Sequence, residues 1–281
     1  MKLKYRINGF YRILQIKLLA LFSKKMAARK ALTVFNTPYK RNNTKPSGRF
    51  LTGEPLHFDF NGISICGFRW NEGAKRKALV IHGHVSSVLN FEPYIDGLVK
   101  KGHEVLAFDA PAHGMSGGET INVVEFSDFI LHIHEKFGPV QSYVGHSFGG
   151  LAIALAMEKI QHDESFRIAL IAPATESISA IDRYFRMIHL TDEKVKHYFE
   201  EQIQEIGGHP SAWYSVARAM QHIKAKVLWV HDQDDPVTPF SDALNVKKQN
   251  YPNVQFVVTS GLGHAQIYRD KSVCKAIIDF L

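Results

Sequence analysis

The stretch Gly145-His146-Ser147-Phe148-Gly149-Gly150 places a hydroxyl between glycines two residues to either side. An apolar run ending at Val144 precedes it, and a helical run over residues 151–160 follows. A serine on a sharp strand-to-helix turn presents its hydroxyl, and the glycines remove side chains that would strike neighbouring backbone. Such a serine can attack an acyl carbonyl once a base takes its proton. The next helix aims its N-terminus at the same point, where its dipole favours a developing oxyanion. An acid and a base are available further along. Asp232, Asp234 and Asp235 follow the apolar run 227–230, and Gly261-Leu262-Gly263-His264 follows the run 254–258. A carboxylate and an imidazole on loops at strand ends are what a serine nucleophile needs for activation and orientation.

These loops need strands and helices to hold them. Residues 56–60 and 63–70, split by Asn61-Gly62, read as a hairpin. Buried strands are predicted over 78–81, 104–108, 140–144, 167–171, 227–230 and 254–258, and helices over 89–101, 124–137 and 151–160. Residues 175–222 hold no strand pattern and read as several helices rich in aromatic residues. Alternating β and α elements predict an α/β fold with a mostly parallel central sheet and helices on both faces.

Four motifs together resemble the α/β-hydrolase superfamily, over about residues 56–281. Ile81-His82-Gly83-His84 resembles its His-Gly oxyanion loop, and Asp109 to Ser116 resembles the D-x-P-G-H-G-x-S loop. The serine turn and the late acid and histidine complete the set, in the order Ser147, Asp235, His264. Ala112 and Asp232 stand where the family commonly has glycine, which bears on loop geometry. The resemblance implies Ser147 as nucleophile, His264 as general base and Asp235 as the acid that orients it, with Glu176 as an outside candidate for the acid. It also implies an oxyanion hole from the backbone N–H groups of His84 and Phe148, and a helical cap inserted at about residues 175–222. The implied activity is cleavage of an ester, thioester or related acyl bond of a small molecule, without cofactor or metal. A peptidase, a C–C bond hydrolase and a non-catalytic binding protein are the alternatives. A serine at position 147 excludes dehalogenase and epoxide-hydrolase chemistry, which needs a carboxylate there.

The remaining histidines give no metal signature: His82-Gly-His84 is not followed by the Asp-His of binuclear metallohydrolases, and no H-E-x-x-H occurs. His82 and His113 are expected to bond neighbouring loops, and His146 to pack beneath the nucleophile. Two cysteines, Cys66 and Cys274, make no disulfide framework and fit a reduced, cytoplasmic setting. The formal charge of +7 is uneven. Residues 1–53 carry 13 Lys and Arg and no acid, which leaves 21 basic and 27 acidic side chains in residues 54–281, a net of −6. The body therefore has no reason to bind nucleic acid. Residues 3–22 predict an amphipathic basic helix whose stripe is Leu3, Ile7, Phe10, Tyr11, Leu14, Leu18, Leu21 and Phe22, followed by a linker at 36–49. Two roles are open for the stripe: docking on this chain or a partner, or peripheral contact with an anionic membrane through residues 1–30. The oligomeric state is not legible in the sequence.

Overall fold

The computed structural model describes residues 2–41 and 44–281, and the side chains from residue 9 onward within that range. Eight strands form one sheet: β1 (Glu54–Phe60), β2 (Ile63–Trp70), β3 (Lys77–Ile81), β4 (Glu104–Phe108), β5 (Ser142–His146), β6 (Arg167–Ile171), β7 (Lys226–Asp232) and β8 (Val254–Thr259). Their spatial order is β1-β2-β4-β3-β5-β6-β7-β8. β2 runs antiparallel to β1 and β4, and every pair from β4 through β3 to β8 is parallel. The central strands are buried on both faces, which is why they read as unbroken apolar runs.

Alternation sorts the strand side chains into two layers. Leu79, Ile81, Leu106, Phe108, Tyr143, Leu170 and Trp229 face one core, under α4 (Val123–Phe137), α5 (Phe148–Met157), α8 (Val216–Ala219) and α9 (Phe240–Lys248). Val80, Val105, Ala107, Val144, Ile171 and Val230 face the other, under α3 (Glu92–Lys100) and α11 (Lys271–Phe280). Helix α5 lies deepest, with nine of its ten residues buried, so it is apolar all round instead of amphipathic.

A third core lies outside the sheet. Helices α6 (Ser177–Met187) and α7 (Glu193–Gly207) follow β6 and pack Ile181, Tyr184, Phe185, Val195 and Phe199 together. The N-terminal chain completes this core. Helix α1 (Lys2–Phe22) folds back on α2 (Lys24–Asn36), which starts with Ser23 accepting the Met26 N–H. Ala27, Ala28, Ala31 and Leu32 of α2 are buried against α6 and α7, and the Tyr184 hydroxyl donates to the Ala31 carbonyl at 2.9 Å. Lys24 pairs with Asp192 at 2.5 Å, and the Phe35 ring sits 5.1 Å from that of Tyr184. The segment expected as a linker is pinned as well: Arg41 Nε donates to the Ala112 carbonyl at 3.0 Å, Arg49 Nε to Asp96 at 2.8 Å, and Phe50 is buried against Phe68 and Trp70.

Of the roles open for the apolar stripe of α1, docking on this chain is not the one the fold uses: Ile13, Ile16, Leu19 and Ala20 face inward instead. Phe10, Tyr11, Leu14, Leu18, Leu21 and Phe22 point out; Leu3 and Ile7 lie outside the described side chains. The buried residues of α2 are three alanines and Leu32, and α1 packs Ile16 and Ala20 into the same core while its aromatic residues stay outside.

Candidate active site

Ser147 occupies the turn between β5 and α5 at φ 54°, ψ −120°, a conformation a side-chain-bearing residue rarely adopts. Strain of this kind costs roughly 1–3 kcal/mol and persists only where the surroundings enforce it. Here they do. The Ser147 N–H donates to the Ile171 carbonyl at 3.0 Å, and the Ser147 carbonyl accepts from Gly150 and Ala174 at 3.0 Å each. Glycine is required beside it: a Cβ on Gly149 would lie 2.4 Å from the His82 carbonyl oxygen. Strand β5 therefore runs to His146 and α5 begins at Phe148, two residues later and three residues earlier than the apolar runs suggest.

The late acid and histidine meet this serine. His264 Nε2 lies 2.9 Å from Ser147 Oγ, and His264 Nδ1 lies 2.7 Å from Asp235 Oδ2. The short Nδ1 contact to a carboxylate places the ring proton there, which leaves Nε2 free to accept from the serine. His264 opens α10 (Gly263–Gln266), just beyond β8. Asp235 is buried. Burial alone would raise its pKa, but hydrogen bonds from His264 and from the Thr238 and Val237 N–H groups outweigh that and hold it below the usual carboxylate range. Glu176 is elsewhere: it is half-buried, accepts from the Ser215 hydroxyl at 2.9 Å, and burial raises its pKa.

Several supporting groups escaped the sequence reading. Thr238 Oγ1 donates to Asp235 Oδ2 at 2.8 Å and lies 3.2 Å from His264 Nδ1, fixing both partners. Its signal was the threonine three residues after the acid, a spacing that closes a side-chain turn. Asp232, where glycine was expected, is a clasp across two loops. It accepts from the Thr259 hydroxyl at 2.7 Å, the Leu262 N–H at 3.1 Å and the Asp234 N–H at 3.0 Å. Burial opposes its ionisation, but these donors still hold its pKa low. Asp234 adds bonds from Ser260 and Gly261. Together they tie the acid loop to the loop that carries His264.

Beneath and beside the serine lie four histidines, of which His82, His113 and His146 are buried and His84 is half-buried. His146 approaches the His264 carbonyl at 3.1 Å through Nε2, beneath the catalytic-type ring. His82 Nε2 accepts from the Ala110 N–H at 3.0 Å, and His113 Nε2 from the Val85 N–H at 3.1 Å, so both bond neighbouring loops as expected. Burial drives His82 down to about 4, and His84, His113 and His146 each to about 3, so all four are neutral near pH 7. Asp109, whose pKa burial raises, accepts from the Val88 and Met115 N–H groups and binds the 82–91 loop to the 109–118 loop. Ala112 takes φ 67° in that second loop, the left-handed conformation for which glycine is usual.

Gly83 packs against Ser147: a Cβ there would lie 3.0 Å from the serine Cβ. This brings the next residue, His84, alongside the turn, and the His84 ring lies 5.9 Å from that of Phe148. Among the described residues, neither the His84 nor the Phe148 backbone N–H has an acceptor. From Phe148 an apolar cavity extends between α2, α4, α5, α6 and α7, lined by Leu32, Phe35, Val124, Leu151, Ala180, Ile181, Ile203 and Tyr214. No group of three or more His, Cys, Asp or Glu side chains among the described residues could hold a metal.

The same organisation is found in known proteins. The Pyrococcus furiosus esterase Pf2001 is 19% identical, superposes with a TM-score of 0.65, and matches 87% of this chain and 95% of its own. Est1E from Butyrivibrio proteoclasticus, solved with ferulic acid, is 19% identical, with a TM-score of 0.60 and coverage of 80% and 97%. Norfluorocurarine synthase 1 from a Strychnos species is 24% identical over 135 residues, 46% of this chain and 51% of that protein, so the chain spans about half the length of that relative. Residues 78–276, which run from β3 into α11 and include the loops that carry Ser147, Asp235 and His264, match the alpha/beta hydrolase family model, and the chain belongs to that family.

Proposed function

We propose that the protein is a serine hydrolase that cleaves an ester, thioester or related acyl bond through an acyl-enzyme. The observation that carries this reading is the continuous chain of contacts from Ser147 Oγ through His264 to Asp235 on a strained turn. Ser147 Oγ attacks the acyl carbonyl carbon as His264 Nε2 takes its proton. The carbonyl oxygen becomes an oxyanion, held by the N–H groups of His84 and Phe148 with the N-terminus of α5 behind them. When the tetrahedral intermediate collapses, the C–O or C–S bond breaks and His264 returns the proton to the leaving group. Water then attacks the acyl-enzyme by the same route, freeing the acid and restoring Ser147. Asp235 stabilises the imidazolium that forms in each half-reaction, and Thr238 holds the carboxylate in line.

The apolar cavity beginning at Phe148 supports an acyl or alkyl group of hydrocarbon character as the substrate portion it takes. Helices α6 and α7 then serve as a cap, with α2 as part of its wall. That Pf2001 is an esterase, and that Est1E was solved with ferulic acid, agrees with this class of reaction. A panel of p-nitrophenyl esters from acetate to laurate tests the reading. Turnover is expected to rise with chain length until the cavity is filled, and to vanish in Ser147→Ala. Turnover of no ester by folded protein would remove it.

A further inference from the structure

We infer that the outward face of the α1–α2 hairpin docks on an anionic membrane surface and brings the active site to acyl substrates held there. The second part rests on the acyl-hydrolase reading above; the docking does not. Phe10, Leu21 and Phe22 are 68%, 76% and 87% exposed, and Tyr11, Leu14, Leu18 and Met26 are exposed beside them. This is a contiguous row of large apolar side chains on one side of two helices whose other side is fully packed. Isolated exposed apolar residues are ordinary, but an aligned set of this size marks a surface that meets something.

Charge selects the occupant. Residues 1–53 contain no acidic side chain. Lys17 lies three residues after Leu14 and four before Leu21, within the apolar row, and Lys25 and Arg29 continue it on α2. All three are exposed, and among the described residues none is in an ion pair. A second copy of this chain would bring the same uncompensated positive charge against itself. An anionic bilayer instead takes the apolar row into its interface and the cations at its headgroups. No described helix is long and apolar enough to cross a membrane, so the contact is peripheral. The same hairpin reaches the site from its other side: Leu32 and Phe35 of α2 line the apolar cavity that starts at Phe148. A membrane-bound α1 therefore sets the cavity wall next to the lipid phase.

The test is sedimentation of the full chain with phosphatidylcholine vesicles, with and without phosphatidylglycerol. Binding is expected only with phosphatidylglycerol, and it should weaken about tenfold or more as salt rises to roughly 0.5 M. The variant L14S/L18S/F22S and the variant K17E/K25E should each lose about tenfold or more of the partitioning. Both should keep the wild-type circular dichroism and turnover of a water-soluble ester, while hydrolysis of a vesicle-embedded ester falls. Equal partitioning of wild type and variants would overturn the inference, as would no binding to anionic vesicles. So would a wild-type dimer in sedimentation velocity that the apolar variant dissolves, which would assign the face to a second copy. If Ser147 fails to react with acyl substrates while vesicle binding holds, the hydrolase reading falls and the docking surface stands.

Discussion

The loops around Ser147 and the outer face of α1 break the ordinary rule of burial in opposite directions. Around the serine, His82, His113, His146, Asp109, Asp232 and Asp235 are taken out of water, and most of their polar atoms are met by one another and by backbone. On α1, six large apolar side chains are left in water while Ile16 and Ala20, with Ile13 and Leu19 beside them, do the packing. Buried polar groups are costly without partners, so the first region depends on its loops staying in place. The second costs little in the folded state, since nothing in the core depends on those side chains. Changes at the serine loops should therefore alter activity and stability together, whereas changes on α1 should alter neither in free solution.

The largest effects belong to the first region. His264→Ala and Ser147→Ala should each lower kcat by about 10⁴-fold or more, and the double variant should lose hardly more than either alone, because the groups act as a unit. Acid should unfold the protein early. The four histidines titrate well below 6.5 in the fold and near 6.5 when unfolded, so the unfolded chain binds more protons as pH falls. Their contribution is complete above about pH 6.5 and is lost towards their folded values, at about 1.4 kcal/mol per pH unit for each. Denaturant melts at pH 7, 6, 5 and 4 should show a steep fall below pH 6; a flat profile would mean that these rings are not buried neutral. Asp232→Ala frees the His264 loop, and kcat should drop about 10- to 100-fold with little change in KM. Within the cavity, Ala180→Phe should cut turnover of long-chain esters about tenfold relative to acetate. Smallest is Ala112→Gly, which relieves the left-handed alanine and should raise stability by no more than about 1 kcal/mol in a thermal melt.

The same contrast explains what could be read from the chain. Strands β3 to β7 were legible because both faces are buried; the serine and the acid each follow such a strand, and the histidine follows the half-buried edge strand β8. The limits of β5 and α5 were not. Apolar pattern places that strand at 140–144 and that helix from 151, but the turn at Ser147 demands Gly145 and His146 in the strand and Gly149 and Gly150 in the helix. Helical propensity argues against those glycines, and close packing with the His82 carbonyl and Pro173 decides in their favour. Asp232 and Thr238 were missed as supports because their partners lie on other elements, up to 30 residues away for Asp232. For α1, periodicity located the helix and its large apolar stripe but not the face that packs on the chain. Amphipathic pattern reports which side is most apolar, whereas the packed side, Ile13, Ile16, Leu19 and Ala20, is set by what α1 meets in the fold. The wall formed by Leu32 and Phe35 had no local signal, since it depends on how the hairpin seats on α6 and α7.

The central claim is that Ser147 is a nucleophile activated by His264. A fluorophosphonate probe, followed by intact mass and peptide mapping, tests it directly. One adduct per chain is expected, on the peptide containing Ser147, absent in Ser147→Ala and slowed by orders of magnitude in His264→Ala. A folded wild-type chain that takes no adduct, or takes it on a different residue, would contradict it.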